Sequence, residues 1–246
     1  GGAMESRTRI REAVRKRYAG IAAGKSKGCC GTVGLEKLGY GREEMEEMPS
    51  SAAMGLGCGS PVRFAGLKEG ETVVDLGSGG GIDAFLAARE VGPAGRVIGV
   101  DMTPEMIARA RNNAVRGNFT NVEFRHGIIE NLPVDDSSAD VVVSNCVINL
   151  VPDKHAVFRE VFRVLKPGGR FIVSDMVSSF ELPARVRRHP RLWSACLGGA
   201  VPEERYVEMV RTAGFDPVEI VTREGLRLGP VHSVTVKAVK PEGSGK

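Results

Sequence analysis

Several large protein classes are excluded by what this chain has little of. No apolar run approaches the ~18 residues of a membrane-spanning helix. The N-terminal segment carries Arg7, Arg9, Arg11, Arg15, Lys16 and Arg17 without the apolar core of a signal peptide. The chain is therefore expected to be cytoplasmic, with no membrane partner. Aromatic residues make up only 5% of the 246 positions, and tryptophan occurs once. Lys and Arg number 34 against 30 Asp and Glu, an excess too small to imply a nucleic-acid partner. Cysteine is sparse and odd in number: Cys29, Cys30, Cys58, Cys146 and Cys196. An odd set in a chain of this size is no disulfide framework. The set also contains no C-x-x-C pair, which argues against structural zinc and a resident metal cofactor.

What is present is one substantial core: 42% of residues are hydrophobic, ordinary for a globular domain of this length. Gly1-Gly2-Ala3 before Met4 reads as an expression scar. The rest is organised around Val73-Val74-Asp75-Leu76-Gly77-Ser78-Gly79-Gly80-Gly81. An apolar β-branched run leads into a glycine loop, and Ile82 to Glu90 continues with helical spacing. That order is the first βα turn of a nucleotide-binding α/β sheet. A pyrophosphate would want bare N–H groups at the helix start. Here Asp83 occupies the first helical turn and Asp75 the strand end. Two carboxylates suit a ligand with cationic groups and ribose hydroxyls, such as S-adenosylmethionine. The next strand, Arg96 to Val100, ends in Asp101, placed to take those hydroxyls. Gly77, Ser78, Gly79 and Gly81 with Asp75, Asp101 and Met102 resemble motifs I and II of class I S-adenosylmethionine-dependent methyltransferases. Ile128 and Ile129 follow the third strand, where they would sandwich an adenine. Asn145, a further candidate for holding the cofactor, lies toward the carboxyl end of the central fourth strand, Asp140 to Val147.

The expected fold class is thus α/β: a Rossmann-like seven-stranded sheet with helices on both faces. Residues 1–60 form an N-terminal cap, 61–240 the methyltransferase domain and 241–246 a tail. Within the domain, 177–200 is an insertion after the fifth strand, over the mouth of the site. Gly20 to Ser26 is not a phosphate-binding loop, because three residues separate its glycines where the motif needs four. Arg185, Arg187, Arg188 and Arg191 read as a solvated helix face, and His126 as a surface histidine.

Each thiol is first a candidate buried hydrophobe; the neighbourhoods change that. Cys29-Cys30 sits in a polar Gly/Lys/Ser loop that suits accessible, reactive thiols. Cys58 is bracketed by glycines, Cys146 lies at the carboxyl end of the fourth strand, and Cys196 leads into Gly198-Gly199. Three separated thiols without a fourth ligand suit a soft three-coordinate centre. Trivalent arsenic is such a centre, and its lone pair can attack a methyl group.

Cys29-Cys30-Gly31, Leu56-Gly57-Cys58-Gly59, Ser144-Asn145-Cys146-Val147-Ile148-Asn149-Leu150 and Cys196-Leu197-Gly198-Gly199-Ala200 resemble the signature segments of arsenite methyltransferases. Gly99 to Thr103 and Glu130-Asn131-Leu132-Pro133 are similar to the same family. The resemblance implies that Cys58, Cys146 and Cys196 hold arsenic(III) and that Cys29 or Cys30 serves a disulfide relay. It further implies S-adenosylmethionine as co-substrate, arsenite or methylarsenite as substrate, and a thiol reductant such as glutathione or thioredoxin. Because thiolates bind arsenic, affinity is expected to rise as pH approaches the ~8.5 thiol pKa. Two rival functions share these motifs: a carbon methyltransferase of the ubiquinone/menaquinone type, and a non-catalytic thiol metalloid-binding protein.

Overall fold

The computed structural model describes residues 2–25, 40–41, 48–187, 189–223 and 227–243; Cys29, Cys30 and the acidic stretch 43–47 lie outside them. Helix α1 spans Gly2–Ala22 and α2 Val62–Ala65. Strands β1 (Thr72–Leu76), β2 (Arg96–Asp101), β3 (Val122–His126) and β4 (Ala139–Asn145) alternate with α3 (Ile82–Val91) and α4 (Pro104–Arg116). Next come α5 (Lys154–Val164), β5 (Leu165–Ser178), α6 (Ala184–Arg187), α7 (Pro190–Trp193) and α8 (Glu203–Thr212). Strands β6 (Val218–Thr222), β7 (Arg227–Leu228) and β8 (Val231–Val239) close the chain.

The strands form one sheet in the order β3-β2-β1-β4-β5-β8-β6, with β7 pairing onto β8. Strands β3 to β5 through β1 are parallel; β8 runs antiparallel between β5 and β6. The two-residue β7 makes eight strands where seven were expected. Strand β5 also runs three residues past Asp175, so the insertion begins beyond Ser178 and not at Val177. Pairing of Asp175 through Ser178 with Val234 through Val231 holds that extension in the sheet.

Alternation along the strands builds both faces. Val73, Val97, Val141 and Ile172 pack with α2, α3 and α4, while Val74, Ile98, Val142 and Phe171 pack with α5 and α8. A third cluster stands at the carboxyl ends: Val14 of α1, Cys58, Cys146, Leu150, Met176, Cys196 and Ala200. Helix α1 is tied down by Arg11 Nη2 donating to Glu130 Oε1 at 2.8 Å, and at its last residue by Arg109 Nη1 donating to the Ala22 carbonyl at 2.7 Å. Thr103 stands at the N-cap of α4, but its side chain makes no capping bond; its N–H instead donates to Asp101 Oδ1 at 2.8 Å. Among the described residues, no helix is long and apolar enough to cross a membrane.

Candidate functional site

Strands β2 and β4 flank β1 on opposite sides, so the crossovers diverge at its carboxyl end and leave a crevice there. The glycine turn fills the gap. Gly77 has φ +65, and a Cβ there would strike the Val147 side chain, so no larger residue fits. The cleft is lined by Asp75, Gly77, Ser78, Gly79, Asp101, Met102, Ile129 and Asn145, all singled out from sequence, with Asp83 beside them. Gly81 and Ile128 do not line it. Gly81 caps α3 at φ +96 with Phe85 and Phe124 packed against it, and Ile128 pairs with Asn131 in a small bridge. The isoleucine sandwich is therefore reduced to Ile129.

Three carboxyls share this cleft, Asp75 and Asp83 buried and Asp101 half-buried. Burial, then Asp83 and Asp101, push Asp75 well up. Burial lifts Asp83 to about 6, against hydrogen bonds from Asn145 and Tyr40. Burial also raises Asp101, whose oxygens accept from the N–H of Gly79 at 3.0 Å and of Thr103 at 2.8 Å. Among the described residues, Asp75 Oδ2 and Ser78 Oγ are buried without a hydrogen-bond partner. Mutually destabilised carboxyls and orphaned polar atoms are what a cationic, hydroxyl-bearing ligand would relieve.

Asn145 joins this cleft to the thiols. Its Nδ2 lies 3.0 Å from Asp83 Oδ2, 2.9 Å from Tyr40 Oη and 2.7 Å from the Gly59 carbonyl. Its Oδ1 accepts from the Cys58 N–H at 3.0 Å. Gly57, at φ +126, passes so close that a Cβ would lie 2.9 Å from Asn145 Nδ2. The glycine-bracketed loop is thus pressed against the end of β4, and Ser233 Oγ donates to the Cys58 carbonyl at 2.7 Å.

Cys58, Cys146 and Cys196 are all buried, and none forms a disulfide. Cys196 Sγ approaches the Cys146 carbonyl at 3.2 Å. The sulfurs of Cys58 and Cys146 and a carboxyl oxygen of Asp175 lie within 4.8 Å of one another. Cys146 and Cys196 have φ of +59 and +63, a left-handed conformation that costs a non-glycine residue roughly 1–3 kcal/mol and clusters at functional sites. Burial pushes the Cys58 thiol up to about 12. Cys196 pulls Cys146 down, yet Cys58 and burial leave it well above the ordinary thiol range. Burial thus favours the neutral form of Cys58 and Cys146, which works against the gain in affinity expected toward pH 8.5.

Two residues of this site gave no local signal. Tyr40 reaches Asn145 across 105 positions of sequence. Asp175, fully buried, accepts from the N–H of Met176 at 2.9 Å and of Asn149 at 3.2 Å and from Tyr206 Oη at 3.3 Å. Burial lifts it to about 7. An aspartate near the end of a third apolar strand, after Asp75 and Asp101, was the available clue.

A methyltransferase-domain family profile matches residues 67–214. The chain is 47% identical over 232 residues to an arsenite methyltransferase of Halobacterium salinarum, covering 87% of this chain and 59% of that one. It is 43% identical over 180 residues to the arsenite methyltransferase of Aquipseudomonas alcaligenes, covering 70% of this chain and 51% of the other. The chain thus spans between half and three-fifths of the length of these curated relatives. The crystal structure of CrArsM, an arsenic(III) S-adenosylmethionine methyltransferase from Chlamydomonas reinhardtii, superposes with a TM-score of 0.64 at 35% identity. That match covers 86% of this chain and 74% of that one.

Proposed function

The chain belongs to the methyltransferases and, within them, to the arsenite methyltransferase family, and we propose that it moves a methyl group from S-adenosylmethionine to trivalent arsenic. The observation that carries this reading is the gathering of three buried cysteines beside the three-carboxyl cleft. S-adenosylmethionine would supply a methyl group on a positively charged sulfur. Asp75, Asp83, Asp101 and Ser78 would hold it, their charges matching its cationic groups and their oxygens its hydroxyls. Met102 and Ile129 would flank its base. The sheet unit 61–240 would provide this half of the site, and the cap 1–60 would supply Cys58 and close over it.

Arsenous acid and the thiols are both neutral, so arsenic can enter this buried place without stranding a charge. Three S–As bonds form, three As–O bonds break, and each thiol proton leaves on a hydroxide as water. The trithiolate then aims the arsenic lone pair at the methyl group. No proton has to be removed from this nucleophile, and alignment lowers the barrier. Transfer oxidises arsenic by two electrons. A thiol pair returns it to the trivalent state by closing a disulfide, a role we assign to Cys29 or Cys30 with one of the arsenic ligands. A cytoplasmic reductant such as glutathione or thioredoxin would reopen that disulfide. Detoxification of arsenic is the biological role this chemistry serves.

The test is incubation of reduced protein with methyl-labelled S-adenosylmethionine, glutathione and arsenite, followed by arsenic speciation. Label in methylarsenicals supports the proposal. Label consumption unaffected by arsenite would point to a carbon acceptor of the quinone type, and arsenite binding without turnover to a metalloid-binding protein.

A further inference from the structure

A second cavity, of about 370 Å³, opens on the other side of the insertion, among the start of α5, helices α6 and α7 and the start of α8. Its size suits a small organic ligand. Lys154, only 5% exposed, lines it. The ammonium donates to the Val151 carbonyl at 3.3 Å and stands 5.6 Å from the ring centroid of Trp193. Among the described residues, no carboxylate pairs with it within 4 Å. Arg187 and Arg205 also line the cavity and share one partner, Glu181, at 3.0 and 3.5 Å. The second lining carboxylate, Asp153, caps α5 by accepting from the Ala156 N–H at 3.1 Å. Three basic side chains thus share the lining with two carboxylates, while Asp175 acts on Lys154 from outside the cavity.

Burial works against the Lys154 ammonium, and the Asp175 carboxyl, on the thiol side, works for it; the ammonium also stands at the edge of a space an anion can enter. Trp193, Gly198, Gly199 and Ala200 form one wall. The same turn carries Cys196, whose sulfur faces the Cys146 carbonyl on the inner side. We propose that this cavity binds the carboxylate end of a small anionic thiol, with Lys154 and Arg205 as its anchors. The carboxylate specificity rests on the cavity itself. Its being a thiol rests on the methyl-transfer function proposed above, which consumes such a reductant. The two lining carboxylates, Glu181 and Asp153, disfavour a dianionic phosphate more than a single carboxylate, and the Trp193 face accommodates the apolar part of the molecule.

Trp193 is the chain's single tryptophan, so its fluorescence reports on this cavity. The reduced protein, without S-adenosylmethionine or arsenite, is titrated with glutathione, S-methylglutathione, dithiothreitol and inorganic phosphate. Saturable quenching by both glutathione forms, with none from dithiothreitol, supports the proposal. Lys154→Met and Arg205→Gln should each weaken that binding about tenfold, the loss expected for one charge-assisted contact. Quenching by dithiothreitol, equal quenching by phosphate, or glutathione binding unchanged in both variants overturns it. A retained thermal shift with S-adenosylmethionine verifies that each variant is folded. Arg205, with its side chain 59% exposed, gives a test that survives if Lys154→Met does not fold. In turnover, Arg205→Gln should raise the half-saturating glutathione concentration about tenfold and leave the dithiothreitol-supported rate unchanged. Should no form of the protein methylate arsenic, the fluorescence titration still decides the cavity, so the two readings fail separately.

Discussion

Without ligands, the folded protein should lose stability as pH rises from 5 to 7.5, the reverse of ordinary acid unfolding. Burial holds Asp83 at about 6 and Asp175 at about 7, against 3.8 for an unperturbed aspartate. The native chain therefore binds more protons than the unfolded chain through this window, and the free energy of unfolding falls as pH rises. Integrating between pH 5 and 7.5 gives a loss of about 2–3 kcal/mol from Asp175 and about 1–1.5 kcal/mol from Asp83. Asp75, also raised, adds in the same direction. Glu71, Glu123, Glu160 and Glu203 are lowered from 4.5 and have the opposite sign, but they act below that value, outside the window. A sum of about 3–4 kcal/mol is a large part of a typical 5–15 kcal/mol stability. It corresponds to roughly 2–4 °C of melting temperature for each kcal/mol. Urea unfolding at several pH values measures it directly. Asp175→Asn keeps an acceptor for only one of the Met176 and Asn149 N–H groups, which meet different oxygens of the carboxyl, and should remove about two-thirds of the slope. Taking the difference between the two proteins cancels the titrating groups that Asp175 does not act on; Lys154, on which it does act, titrates at about 8, above this window. Identical slopes in wild type and Asp175→Asn would refute the reasoning.

Cys146→Ser and Cys196→Ser should each reduce methylation of every arsenical to background, whereas Cys58→Ser should harm inorganic arsenite more than methylarsenite, which needs one thiolate fewer; chromatographic speciation separates the cases. Gly57→Ala meets both a φ of +126 and a contact of 2.9 Å with Asn145. A cost of about 1–3 kcal/mol follows, with at least tenfold weaker arsenite binding as Cys58 is displaced, measured by equilibrium dialysis. Asn145→Ala strips partners from Asp83, Tyr40 and the Cys58 N–H together and should destabilise by about 2–4 kcal/mol, with weaker S-adenosylmethionine binding by calorimetry. Arsenite affinity should be nearly flat between pH 6 and 8, because thiols that remain protonated hand their protons to departing hydroxide; a tenfold rise per pH unit would contradict that account.

The carboxyl-lined cleft was legible because its signals are local. A strand, a glycine turn, Asp83 in the first helical turn and Asp101 at the next strand end lie within 30 positions and are fixed by backbone rules. The thiols were legible as single residues in unusual surroundings: glycines around Cys58, a strand end for Cys146, a glycine turn after Cys196. Their burial and the upward shift of Cys58 and Cys146 were not, since desolvation depends on α1, Leu150 and Met176 closing over them. Tyr40, Asp175 and Lys154 escaped notice for a similar reason: each matters through contacts that no periodicity announces. The extension of β5 to Ser178 was hidden because its polar and apolar residues look like loop until β8 supplies hydrogen-bond partners.

The two halves of the site meet at two consecutive residues. Along a regular strand, Asn145 and Cys146 would face opposite sides of the sheet. The left-handed turn at Cys146 breaks that alternation, so Asn145 keeps its amide among Asp83, Tyr40 and the Gly59 carbonyl while Cys146 joins Cys58 and Asp175. One side is a cleft of carboxyls held partly neutral by their own crowding. The other is a pocket of neutral thiols. A cationic methyl donor would restore charge balance to the first, and neutral arsenous acid would enter the second without introducing any. The left-handed turn at Cys146 is what would permit both proposed chemistries within a single strand end, and neither half could be moved along the chain by one residue without turning its side chains away from the other.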